Sequence, residues 1–181
     1  MTRIVTPSAD NTPAASLPLL DAVNKQLGVI PNLMKVVGNS PAALEGYLSL
    51  SGALGKGTLG AKTGERIALA VAELNGCNYC LSAHSYLAAN LAKLDAAEIE
   101  ANRRGSSDDT KAAAAVLFAT QVVKARGHVV DADVAAVKAA GFSQGEIIEI
   151  VLHVALNTLT NYVNEVAQTD IDFPVAAALS H

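Results

Sequence analysis

Apolar residues recur along this chain at intervals of three and four, and no stretch sustains a period-two alternation. That periodicity predicts helices throughout and no sheet. Leu17–Leu27 reads as an amphipathic helix closed by Gly28, and Pro31 opens a brief helix ending at Gly38. Ser40-Pro41, an N-cap followed by proline in the first helical position, starts Pro41–Leu54. The glycine-rich stretch Gly55–Gly64 reads as a flexible loop. Lys62–Asn75 is then a helix stopped by Gly76, and Cys77–Ala92 is the helix that follows. Asp95-x-x-Glu98 resembles a capping box for a helix ending near Gly105. Ser107–Arg126 is an alanine-rich helix stopped by Gly127, and Asp131 caps Ala132–Ala140. Ser143-x-x-Glu146 opens a last long helix running to about Gln168, followed by an extended tail that contains Pro174.

The most apolar segment is Ile147–Val166. His153, Asn157, Asn161 and Asn164 interrupt it, so it reads as a buried helix rather than a membrane span. A hydrogen-bonded core position is the default for His153. The asparagines are expected to bond across helices or a subunit interface, because burying them unpaired is costly. A short echo, Ile67-x-Leu69-x-Val71-Ala72 against Ile150-x-Leu152-x-Val154-Ala155, suggests a duplicated helical hairpin. No linker divides the chain, so one all-α domain is expected over 1–181, with 1–16 an extended N-terminal segment.

Hydrophobic residues make up 51% of the 181 and charged residues only 17%. So little polar cover predicts apolar surface buried between copies, hence a homo-oligomer. A net charge of −4 and a pI near 5.5 argue against nucleic-acid binding. The first residues lack an apolar signal core, so a cytoplasmic protein with no membrane partner is expected. In that compartment a cysteine pair points to catalysis or metal binding more than to a structural staple.

The chain has two cysteines, in Cys77-Asn78-Tyr79-Cys80, with His84 four residues on. Residues three and four apart share a helical face, so the sulfurs are placed to form a small disulfide ring and His84 to exchange a proton with either. A helix N-terminus favours the thiolate, but contributes only about 0.3–1 kcal/mol, so a base is also required. Three other readings stand beside this one. The cysteines are also small enough to be plain core residues. Cys77, Cys80 and His84 plus a carboxylate would suit zinc, although no second Cys-x-x-Cys or His-x-x-x-His completes such a site. Glu65, read as a first-turn residue, would simply complement the helix dipole. Glu73, late in its helix and four residues before Cys77, is either a relay carboxylate or the partner of a lysine or arginine. Tyr79 either packs over the sulfurs or donates a proton.

Thr63-Gly64-Glu65-Arg66-Ile67-Ala68-Leu69-Ala70-Val71-Ala72, Asn75-Gly76-Cys77-Asn78-Tyr79-Cys80 and His84 together resemble the AhpD-like alkylhydroperoxidase branch of the carboxymuconolactone decarboxylase family. The run Asn157-Thr158-Leu159-Thr160-Asn161-Tyr162-x-Asn164, with Asp172-Phe173-Pro174, resembles its peroxidase-related subgroup. The resemblance implies an AhpD-like helical bundle, assembled as trimers or hexamers. It implies a thiol-dependent peroxidase or disulfide oxidoreductase that reduces a hydroperoxide and is recharged by an external dithiol, with neither metal nor organic cofactor. Cys80 would attack the peroxide, Cys77 would resolve the product, and His84 and Glu65 would relay protons. Tyr79 stands where the best-known members carry a second relay histidine. Two rival functions are a decarboxylase-like or lactone-processing enzyme on the same fold, and a non-catalytic metal-binding or structural oligomer.

Overall fold

The computed structural model describes residues 2–179, and among these every regular element is helical. Two short 3-10 turns, Ala9–Asn11 and Ala14–Ser16, precede nine α-helices. These are α1 (Leu17–Leu27), α2 (Asn32–Val37), α3 (Pro41–Leu54), α4 (Gly60–Leu74), α5 (Asn78–Asn90), α6 (Ala96–Arg103), α7 (Thr110–Lys124), α8 (Asp131–Ala139) and α9 (Gln144–Ala167). The architecture is the AhpD-like all-α bundle expected. The N-terminal segment expected to be extended carries the two turns instead. His181, for which the sequence suggests no role, lies outside the described residues.

Local chemistry sets most boundaries. Ser40, Asp95, Asp109 and Ser143 each cap a helix by accepting a backbone N–H in the first turn, at α3, α6, α7 and α9. At α9 the box is reciprocal, because Glu146 reaches back to the N–H of Ser143 at 2.7 Å. Two expectations need correction. Helix α4 begins at Gly60, five residues before Glu65, so the glycine-rich loop is confined to residues 55–59 and Glu65 is no first-turn residue. At α8 the N-cap is Val130 rather than Asp131, and Asp133 accepts its N–H at 3.1 Å.

The centre of the bundle is α4. Ile67 through Ala72 are all buried, which no amphipathic surface helix allows; α4 packs against α5, α6, α7 and α9. Full burial of Ile67, Leu69 and Val71 contributes about 1.5–3 kcal/mol each. One apolar cluster joins α4 to α7, α8 and α9 through Ile67, Phe118, Val137 and Ile150. A second gathers α1, α2, α3 and α5, and the two cysteines lie within it. The segments that echo each other in sequence, in α4 and α9, pack together. No single described helix is long and apolar enough to cross a membrane; α8 and α9 pass that test only as a pair, bent by 117°.

The chain after α9 returns across the start of α5. Asp172 accepts the Tyr79 hydroxyl at 2.8 Å and the Asn32 N–H at 2.7 Å, and Phe173 meets the Tyr79 ring edge-on at 5.9 Å. The N–H of Ala176 donates to Ser82 Oγ at 3.1 Å. These contacts strap the tail over the cysteine-bearing helix.

Candidate active site

Gly76, at φ +67, makes the tight turn from α4 into α5, a backbone angle that favours glycine. The turn leaves Cys77 just outside the helix as its N-cap. The expected Cys77–Ala92 helix is therefore Asn78–Asn90. In place of the usual oxygen, Cys77 Sγ accepts the N–H of Cys80 at 3.3 Å. Both cysteines are free thiols and both are buried.

Their environments push them apart. The Cys80 thiol is drawn down to about 7. The hydrogen bond from Cys77 is the largest cause; burial opposes it, and Asn164, the positive charge of His84 and Asn161 add to it. Cys77 is pushed up by that same bond to Cys80, by its own burial and by the neighbouring charge. The pair thus shares one proton, held on Cys77, with the charge on Cys80.

His84 sits one turn further along α5, and its Nδ1 meets Glu65 Oε2 of α4 at 2.9 Å. Burial works against a charged ring, yet the charge and hydrogen bond of Glu65, with the nearby Cys80, raise the pKa above the ordinary imidazole value. Glu65 and His84 are each about a fifth exposed, at 23% and 22% of the side chain. They and Cys80 line one pocket of about 360 Å³, enclosed by α1, α2, α3, α4, α5 and α9. Leucines and Met34 supply much of the wall. Cys77 does not reach it.

The other sequence-predicted residues are placed as follows. Tyr79 lines the pocket by its ring, while its hydroxyl accepts the N–H of Leu33 at 3.1 Å and donates to Asp172. Burial first, and then Asp172, push its pKa up, so at neutral pH it is a protonated packing residue with its hydroxyl in use. Glu73 stands apart from the pocket in an ion pair with Arg103 Nε at 2.7 Å, and Arg103 also donates to the carbonyl of Ala177. It is therefore a strut for the tail. Among the described residues no three His, Cys, Asp or Glu side chains converge as a metal site.

Two features, His153 and Tyr47, escaped the sequence. His153 is not a hydrogen-bonded core histidine. Its ring lines the pocket, pressed so closely on Gly64 that a Cβ there would lie 3.0 Å from Cε1. Burial lowers its pKa. Tyr47 also lines the pocket, with burial pushing its phenol up. Of the asparagines expected to bond across helices, Asn164 reaches from α9 and donates through Nδ2 to Cys80 Sγ at 3.2 Å, and Asn161 accepts from Asn75, whereas Asn157 donates to the His153 carbonyl within α9. The available signal was spacing: the polar residues that interrupt α9 at 153, 157, 161 and 164 fall on one helical face.

Residues 41–125 match the model of the carboxymuconolactone decarboxylase family. That segment of the chain is similar to the family. The matched segment runs from α3 to the end of α7, so it holds Glu65, both cysteines and His84, whereas α9 falls outside it. No curated protein matches the chain. Among solved structures it is similar to an uncharacterized peroxidase-related protein from Silicibacter sp. TM1040. The identity is 24%, the TM-score 0.82, and the match covers 93% of this chain and 91% of that one. It is also similar to an uncharacterized peroxidase-related protein with an alkylhydroperoxidase AhpD core from Ralstonia eutropha JMP134, at 22% identity and TM-score 0.84, over 94% and 92%. A third similar structure is a cysteine-to-alanine variant of the debrominase Bmp8 in complex with 2,3,4-tribromopyrrole, at 19% identity and TM-score 0.79, over 95% and 92%. At these identities the likeness establishes a common fold.

Proposed function

We propose that this protein is a thiol-dependent peroxidase in which Cys80 attacks and Cys77 resolves. One observation carries the reading: of two adjacent thiols, the one on the pocket wall is the acidic one, and a histidine–glutamate pair opens onto the same pocket. An ordinary thiol near 8.5 is only a few per cent ionised at pH 7, whereas Cys80, drawn down to about 7, is far more readily ionised there. The relatedness to two proteins described as peroxidase-related supports the same class.

The cycle balances as follows. The Cys80 thiolate attacks the terminal oxygen of a hydroperoxide; an S–O bond forms and the O–O bond breaks. The departing alkoxide takes a proton from His84 and leaves as the alcohol. Glu65 holds Nδ1, so that proton comes from Nε2, and the carboxylate steadies the charged ring beforehand. Cys77 then attacks the sulfenic sulfur, a disulfide forms, and hydroxide departs with the thiol's proton as water. An external dithiol reopens the disulfide by exchange. Sulfur supplies both electrons, so no step calls on a metal or organic cofactor.

A second reading is two-electron removal of halide from an organic substrate by the same dithiol. The largely apolar wall of the pocket and the likeness to a debrominase favour it. A decarboxylase-like reaction gives the split thiol pair no role. Consumption of cumene hydroperoxide with dithiothreitol as reductant decides. The wild-type chain is expected to turn it over, forming an intramolecular disulfide visible by mass spectrometry, and Cys80→Ser to lose both. Equal consumption by Cys80→Ser would overturn the reading.

A further inference from the structure

Two carboxamides from α9 meet at the Cys80 sulfur. Asn164 donates to it at 3.2 Å, and Asn161, one turn earlier, lies close enough to favour its charged form without reaching hydrogen-bonding geometry. Both side chains are closed off from solvent, at 2% and 0% exposure. Asn161 Oδ1 accepts from Asn75 Nδ2 at 2.8 Å, which fixes which end of the amide is free. The remaining atoms, Asn161 Nδ2 and Asn164 Oδ1, have no partner at all.

A buried polar atom left unpaired costs about 1–3 kcal/mol, and a leucine in either place would avoid it. A donor held dry beside a nucleophile is worth most when charge or a new oxygen develops there, because it needs no reorganisation at that moment. The two orphan atoms are one donor and one acceptor, which is the complement of an S–O–H group. We propose that Asn164 and Asn161 form an amide cradle for Cys80. Asn164 holds the sulfur ready to attack, and Asn161 Nδ2 then receives the oxygen transferred onto it, with Asn164 Oδ1 accepting the sulfenic proton. The cradle keeps the oxidised sulfur in place until Cys77 attacks. Its second half rests on the peroxidase reading; its first half does not.

Two measurements test it. The first is the iodoacetamide reaction of Cys80 against pH. Asn164→Leu is expected to move the midpoint upward and to slow alkylation at pH 6.5 by about tenfold, the size of one hydrogen bond to a charged group. The second uses a Cys77→Ser background, where the sulfenic acid cannot be resolved. An excess of cumene hydroperoxide is added, so that a second equivalent remains as the oxidant from sulfenic to sulfinic acid, and the sulfenic acid is followed by dimedone trapping and mass. There Asn161→Leu, and Asn161→Asp, which keeps an oxygen acceptor for Asn75, are expected to shorten its lifetime several-fold in favour of sulfinic acid. Thermal melts identify any variant that fails to fold. An unchanged midpoint in Asn164→Leu overturns the first half, and unchanged lifetimes in both Asn161 variants overturn the second. Should the Cys77→Ser parent form no sulfenic acid, the peroxidase reading and the second half fall together, while the alkylation midpoint still decides the first.

Discussion

At the scale of single residues, the chemistry rests on who holds a proton. Glu65 raises His84, and the charged His84 helps to lower Cys80. The sign of a pH dependence follows. Cys80 reactivity is low where the thiol is protonated and rises as pH passes through about 7. Glu65→Gln removes the carboxylate that keeps His84 charged, so the imidazolium is lost at lower pH and Cys80 loses its counter-charge. The thiolate absorbance at 240 nm is expected to titrate at higher pH in this variant, and peroxide turnover at pH 7 to fall. An unchanged titration would mean that Glu65 does not act on the sulfur through the ring. Cys77, Cys80, His84 and Glu65 were legible because helical spacing alone puts each within a turn of its neighbour or on a matched motif. His153, Tyr47, Asn161 and Asn164 reach the site from other helices. In the sequence they are polar or aromatic positions in apolar segments, and only the way α3 and α9 meet α4 and α5 shows what they face.

At the scale of elements, the start of α5 does two jobs at once. Cys77 is both the helix cap and the hydrogen-bond donor to Cys80, so its replacements separate packing from chemistry. Cys77→Ala removes the cap and the donor; it is expected to destabilise the fold by about 1 kcal/mol and to raise the Cys80 midpoint. Cys77→Ser keeps an N-capping oxygen and an O–H donor, and is expected to hold both nearer the wild type. Chemical denaturation and the alkylation profile read the two effects. The helix ends were largely legible, since Ser40, Asp95 and Ser143 carry capping chemistry in their own side chains. The start of α4 was not. Gly60 and Gly64 lower helix propensity, but packing overrides it, and Gly64 has a specific reason to be small: the His153 ring occupies the space of its missing side chain. The strap was visible only as a proline-containing tail. Nothing local in Asp172 or Phe173 points to Tyr79, which lies far back along the chain.

At the scale of the whole molecule, α9 shows two faces. One builds the pocket and the core. The other leaves Ile148, Leu152, Leu159, Tyr162 and Val166 exposed along its length, at the three- to four-residue spacing of a helix–helix seam. Such a face, identical on every copy, can pair with itself about a two-fold axis. Sedimentation is expected to give a mass that is a multiple of 18.5 kDa, and Tyr162→Glu to shift it downward. A wild-type monomer at micromolar concentration would refute this expectation. The high apolar content raises the expectation of self-association from the sequence, but a candidate face needed the burial pattern, because period alone does not tell a core stripe from a seam.

The seating of the two sulfurs also bears on recovery after each turnover. Of the pair, only Cys80 fronts the pocket, so an incoming thiol must strike there and expel Cys77. A buried sulfur that resists ionisation is a reluctant leaving group. On the peroxidase reading, regeneration rather than oxidation is expected to limit the throughput. Under steady supply of both reactants most molecules should rest in the cross-linked form, and quenched samples run without reductant will reveal that fraction.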